Sequence, residues 1–124
     1  MHRFGRTILF TFLAALAGAC ASGNTNLAQM PPEQLFDRAH GSLREGKWTD
    51  AIAAFEQFTL QYPTHPRVAE ARFRLAEAYF GKKEFITAGN EFARLASDYP
   101  AGPWADDARF RVCESYYRLS PKPP

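Results

Sequence analysis

Tyr62-Pro63-Thr64-His65-Pro66 returns as Tyr99-Pro100-Ala101-Gly102-Pro103, and the offset of 37 residues between the two carries much of the surrounding chain with it. Trp48 matches Phe85, Ala51 matches Ala88, Phe55 matches Phe92, and Ala39 matches Ala76. A third copy opens, with Pro66, Phe73, Tyr79 and Phe80 recurring as Pro103, Phe110, Tyr116 and Tyr117. A fixed period in this range is the signature of a solenoid, in which each unit buries its apolar face against its neighbours. The expected fold is therefore all-α: a solenoid of antiparallel helix pairs, about two and a half repeats long. Function is then sought on a binding face rather than in a catalytic pocket.

Proline and glycine mark the elements. Pro31-Pro32 suits a helix start, and that helix is expected to run to about Glu45, where Gly46 breaks it. A second helix runs from about Trp48 to Gln61. It stops at Tyr62-Pro63, because the proline ring clashes with a continuing helix and restricts the residue before it. The next pair is placed near 66–80 and 84–98, separated by Gly81-Lys82-Lys83, with Pro66 and Pro103 in the first turns of the helices that follow. Ala39 and Ala76 should face Ala51 and Ala88 so that the paired backbones approach closely, with Phe55 and Phe92 filling the space one turn on.

The ends bound the domain. Arg3 and Arg6 precede an apolar run, Ile8 to Ala17, that is too short to span a bilayer and reads as a targeting segment over residues 1–19. It closes in Leu16-Ala17-Gly18-Ala19-Cys20, which resembles a bacterial lipobox, with Cys20 the expected site of lipid attachment and the outer membrane, periplasmic face, the expected location. An ordinary signal peptide with an incidental Cys20 is the alternative. Residues 20–30 are rich in Ser, Gly, Asn, Thr and Gln and read as a flexible tether with a reach of roughly 15–20 Å. Residues 31–119 then form the repeat domain and 120–124 a Pro-rich end. Loss of Arg3 and Arg6 reduces the 15 basic residues to 13, which balances the 13 acidic ones. That neutrality gives no electrostatic footprint for nucleic acid. With Cys20 lipidated, Cys113 stands alone, in register with Ala39 and Ala76, as a small packing residue rather than half of a disulfide.

On the first helix of each unit, Phe36, Phe73 and Phe110 are in register, and Leu43, Phe80 and Tyr117 form a second row seven residues on, nearly two turns away. His40, Glu77 and Glu114 sit between the rows. Two readings stay open. The nine residues line a groove for an extended or helical segment with apolar anchors, or the aromatics pack between repeats, since they lie close to Ala39, Ala76 and Cys113 round the helix. No catalytic, cofactor or metal constellation is expected. His40 and His65 lack the spacing of a metal pair, Asp106-Asp107 complements a helix dipole, Lys82-Lys83 reads as a solvated turn, and there is no phosphate loop or nucleophile motif. The chain is not read as an enzyme.

Leu75-Ala76, Tyr79, Ala88, Phe92 and Pro100 together resemble the tetratricopeptide repeat. Repeat one departs from that pattern, with Ser42 at the tyrosine position and Arg38 at a leucine position, and the period of 37 exceeds the usual 34. Gly46-Lys47-Trp48, Ala51-Ile52, Phe55-Glu56, Tyr62-Pro63-Thr64-His65-Pro66, Leu75-Ala76-Glu77-Ala78-Tyr79, Cys113-Glu114-Ser115-Tyr116-Tyr117 and the lipobox further resemble the N-terminal half of the BamD family, lipoproteins of the outer-membrane β-barrel assembly machinery. The resemblance implies a periplasmic adaptor whose partners are barrel-assembly subunits and the precursors of outer-membrane proteins. The alternative is a TolA-binding-type (CpoB-like) scaffold coordinating envelope constriction. Against the BamD-family pattern of about five repeats the chain ends early, after the first helix of the third. Ala108, Val112, Cys113 and Tyr116 are expected to lack a covering helix, as in a truncated chain or one whose partner supplies the cover.

Overall fold

A computed structural model describes residues 26–122. A short 3-10 turn, Leu27–Gln29, precedes five helices: α1 Pro32–Arg44, α2 Trp48–Gln61, α3 Val68–Gly81, α4 Phe85–Asp98 and α5 Ala105–Tyr117. Among the described residues there is no strand, and α1/α2 and α3/α4 form antiparallel hairpins with α5 packed against α4. The fold is the expected tetratricopeptide-like one. The targeting segment, the lipobox with Cys20, and the first part of the tether lie outside the described residues.

The helix boundaries follow from local chemistry. Pro32 stands in the first turn of α1 with Glu33 beside it, where a carboxylate meets the free N–H groups. At the other end Gly46 takes φ 71°, and Lys47 N–H reaches back to Ser42 O at 2.9 Å while Gly46 N–H reaches Leu43 O at 3.1 Å. This is a Schellman closure, which needs a left-handed residue. The same closure ends α3, with Glu84 N–H on Tyr79 O and Lys83 N–H on Phe80 O, both at 2.9 Å. Here the left-handed residue is Lys83, at φ 67°, one period after Gly46. Gly81, assigned to the linker by sequence, is instead the last residue of α3. Its missing side chain makes room for Trp48, whose ring atoms would stand 2.7 Å from a Cβ. Pro66 and Pro103 likewise precede α3 and α5 by two residues rather than entering their first turns.

α3 has two buried faces, and that explains the core. Leu35, Phe36 and Ala39 of α1 pack with Ala51, Ile52, Phe55 and Phe58 of α2, and α3 closes this cluster with Ala71, Leu75 and Ala78. The opposite face of α3, Phe73 and Ala76, packs with Ala88, Phe92 and Leu95 of α4, and Ala108 and Val112 of α5 close that one. The small residues at the helix crossings are buried as expected. Of the four α5 residues expected to be uncovered, Ala108 and Val112 are covered, because the preceding α4 supplies the cover, while Tyr116 and Cys113 are exposed. Ala108 is buried and Val112 packed, while Tyr116 lies over Gly89 and donates to Asn90 Oδ1 at 2.9 Å. Buried Ser115 donates to the Arg111 carbonyl at 2.7 Å, so its hydroxyl is satisfied within the helix. Cys113, expected as a small packing residue, is exposed instead.

A clasp analogous to Tyr116–Asn90 joins α3 to α2. Tyr79 donates to Glu56 Oε1 at 2.5 Å, and burial, reinforced by that carboxylate, pushes the phenol's pKa up, so it remains a donor. The end of the tether is also held. Leu27 and Met30 pack on the first cluster, Gln61 Nε2 donates to Ala28 O and Tyr62 Oη to Met30 O, both at 2.7 Å. The folded part therefore begins before Pro31, because α2 ends in two side chains that can bind the tether's carbonyl groups.

Candidate functional site

The three first helices lie side by side in the order α1, α3, α5, and their shared face is where a groove was expected. The nine residues do not act as one set. Phe36 and Phe73, at 1% and 5% exposure, are core: Phe36 meets Phe55 edge-on at 5.7 Å and Phe58 at 5.5 Å, and Phe73 meets Phe92 at 5.3 Å. They are corrected here from groove to packing residues, because the second helix of each repeat presents an aromatic to them. His40 is half-buried and stacks on Phe36 at 6.2 Å. Phe110 and Tyr117, at 69% and 75%, are open to solvent.

What remains between α1 and α3 is a recess of about 270 Å³ lined by Leu43, Trp48, Glu77, Phe80, Gly81 and Arg111. Leu43 and Phe80 come from the expected second row, and Trp48 forms the wall that Gly81 admits. Its mouth carries one carboxylate and one guanidinium. Arg111 Nη2 stands 3.5 Å from Glu77 Oε1, and its guanidinium lies 4.7 Å above the Phe80 ring and 5.6 Å from that of Phe92. An aromatic face carries negative quadrupole density and accepts a guanidinium in this way.

Arg111 belongs to a longer run of alternating charge that sequence reading missed. Arg67 reaches Glu33 at 3.2 Å and Glu70 at 3.3 Å; Arg74 reaches Glu77 at 2.8 Å and Glu70 at 3.8 Å; Arg111 reaches Glu114 at 2.6 Å, which Arg118 approaches at 3.8 Å. The run crosses α1, α3 and α5 and roofs the aromatic rows: Arg67 sits 3.4 Å over Phe36, and Arg74 5.0 Å over Trp104. His65 joins the α1 end, its Nδ1 accepting from Arg67 N–H at 3.1 Å and its Nε2 facing Glu33 at 3.2 Å. Each pair is partly solvated and contributes about 1 kcal/mol or less, but the run fixes each side chain from Glu33 to Glu114 between two others. A signal was present: Arg74-x-x-Glu77 recurs one period later as Arg111-x-x-Glu114. The face is thus amphipathic, with ring edges and a small apolar recess beneath paired charges, rather than an open aromatic trough. Such a surface can seat one apolar side chain and orient the polar backbone or charged group beside it.

Among the described residues no group of three or more His, Cys, Asp or Glu is placed to hold a metal. No described helix is long and apolar enough to cross a membrane.

Comparison with known proteins bears on the same region. The chain is similar to the outer membrane protein assembly factor BamD of Xylella fastidiosa strain 9a5c, 35% identical over 51 residues that make up 41% of this chain and 18% of that protein. It matches the BamD of strain Temecula1 / ATCC 700964 at the same identity over 51 residues, 17% of that protein. The matched segment therefore spans less than a fifth of either relative's length. A match to the family described as YfiO, outer membrane lipoprotein, covers residues 28–90, which includes α1, α2, α3 and the recess-forming Leu43, Trp48, Glu77 and Phe80. The chain, a BamD-like stack of helix pairs, belongs to the YfiO outer membrane lipoprotein family.

Proposed function

We propose that this chain is a non-catalytic adaptor of outer-membrane protein assembly, held on the periplasmic face of the outer membrane by lipid on Cys20. The observation that carries this reading is the family match over residues 28–90, joined by relatives named as outer membrane protein assembly factors. Its partners would be subunits of the assembly machinery and the precursors it handles. Contact with them is assigned to the α1–α3 recess, where Leu43, Trp48 and Phe80 receive an apolar side chain and Glu77 and Arg111 orient the segment carrying it. His40, Glu114, Phe110 and Tyr117 border that path. The charge of Arg111 is balanced by Glu77 and Glu114, so recognition would rest on shape and hydrogen bonding more than on net charge.

A photo-crosslinking residue at position 80, expressed in the native host, tests the partner assignment. Adducts with assembly subunits or outer-membrane precursors are the expected result. Their absence, together with normal levels of outer-membrane β-barrel proteins in a strain lacking this chain, would overturn it. Palmitate labelling that disappears in Cys20→Ser tests the anchor separately.

A further inference from the structure

We propose that the groove between α2 and α4 docks one amphipathic helix of another protein, acidic in its first turn, apolar in the middle and basic in its last turn. The groove lies in the layer of second helices rather than at the α1–α3 recess, so it does not depend on the function assigned there. It encloses about 370 Å³, with Glu56, Thr59 and Leu60 of α2 on one wall and Glu91 and Arg94 of α4 on the other; Arg72 and Leu75 of α3 form its floor. Each of these three helices is packed on both flanks by described helices: α2 by α1 and α3, α3 by α2 and α4, α4 by α3 and α5. The opening is therefore a seam between completed hairpins.

Charge along the seam selects the occupant. At one end the Tyr79 phenol donates to Glu56, and its pKa is raised first by burial, then by Glu56, Glu91 and Glu84, so the three carboxylates converge there. Glu84 has Lys82 at 2.9 Å, whereas neither Glu56 nor Glu91 is paired with a basic side chain among the described residues. At the other end two guanidiniums share one carboxylate, with Arg72 Nη1 3.1 Å and Arg94 Nε 3.8 Å from Asp98 Oδ2. The groove is thus negative at one end and positive at the other. Between them lie Leu75 and Leu60, the latter 77% exposed. None of this is repeat chemistry: one period after Glu56 and Leu60 stand Ala93 and Ser97, and one before Glu91 stands Ala54. From Glu91 to Asp98 is two turns, about 10.5 Å, which a helix laid along the groove covers with residues i, i+4 and i+7. Running antiparallel to α2 and α4, that helix sets its acidic start on Arg72 and Arg94 and its basic end on Glu56 and Glu91. Its own macrodipole favours the same order. One helix on so small a groove belongs to the weak, transient class of contacts.

The test is fluorescence anisotropy of a labelled alanine-rich peptide of roughly 16 residues, long enough to form helix alone, with aspartate, leucine and lysine at i, i+4 and i+7. It is titrated with the full chain carrying Cys20→Ser. Saturable binding is expected, weakened about tenfold by Glu56→Gln combined with Glu91→Gln, the loss of two partly solvated charge contacts. Glutamate in place of the peptide's lysine should weaken it at least as much. A glutamine carbonyl still accepts from Tyr79, so the double variant should keep its helical circular dichroism. No saturable binding at roughly millimolar chain, or equal affinity for the double variant, would overturn the assignment. So would self-association abolished by Leu60→Ser, which gives the groove to a second copy. Peptide binding that appears only on deleting residues 20–25 would overturn it too, by giving the groove to the chain's own tether.

Discussion

The two ends of this stack face solvent with opposite chemistry. On α1, the face that would meet a preceding helix carries Gln34, Arg38 and Gly41, in register with Ala71, Leu75 and Ala78 of α3, which are buried. On α5, the face that would meet a following helix keeps Phe110, Cys113 and Tyr117, in register with the packed Phe73, Ala76 and Phe80. Terminal units of a solenoid need a polar outer side, because no neighbour removes it from water. α1 satisfies this, whereas α5 keeps the face with which α1 and α3 meet the helix that follows each of them. The departures of repeat one, Arg38 where leucine is usual above all, are therefore what a capping helix requires. Similarity of sequence identifies repeats, but departure from it identifies an end.

The largest expected effect tests whether a repeat position owes its energy to its neighbours. Phe73→Ala should cost about 3–5 kcal/mol, since a buried aromatic is lost and a cavity remains. Phe110→Ala, the same position one period later, should change stability by about 0.5 kcal/mol or less. Urea denaturation of both variants decides it; equal losses would break the comparison of the ends. Next is Gly81→Ala. Its methyl group would meet the Trp48 ring at 2.7 Å, so a loss of about 1–3 kcal/mol is expected, read as a shift in denaturation midpoint. A silent Gly81→Ala would mean that the Trp48 wall of the recess is mobile.

Smaller effects separate the two Schellman closures. Gly46→Ala should cost about 1 kcal/mol, because a side chain is forced into a left-handed backbone, whereas Lys83→Gly should gain about 0.5–1 kcal/mol by relieving one. Calorimetry on the pair would show opposite shifts. The least effect is expected at Glu45. Hydrogen bonding to Lys47, with its charge, lowers the carboxyl's pKa through a 2.6 Å contact, yet both groups are fully solvated, so Glu45→Gln should leave the melting midpoint where it was.

Most of the fold was legible because its signals are local and repeated. Pro32, Gly46, Tyr62-Pro63 and Tyr99-Pro100 fix helix ends by covalent geometry, and the alanine–alanine crossings recur at one offset. The site was legible only in part. Leu43, Glu77 and Phe80 do share a recess, but Phe36 and Phe73 could not be assigned to groove or core from α1 and α3 alone, since Phe58, Phe92 and Trp104 arrive from other elements. The arginine roof depends on side-chain reach between helices 37 residues apart, although its Arg-x-x-Glu repeat was on the page. Gly81 misled because glycine in a linker and glycine under an indole look alike in one dimension.

The hydrogen bonds from Gln61 and Tyr62 to the carbonyl groups of Ala28 and Met30 set a boundary condition on any anchor at Cys20. Between position 20 and Asn26 a chain of this length can span at most ~20 Å. A leash that short would bring the C-terminal end of α2 to the headgroups and restrict how far the rod can swing. Bilayer and recess would then be held at a nearly constant separation.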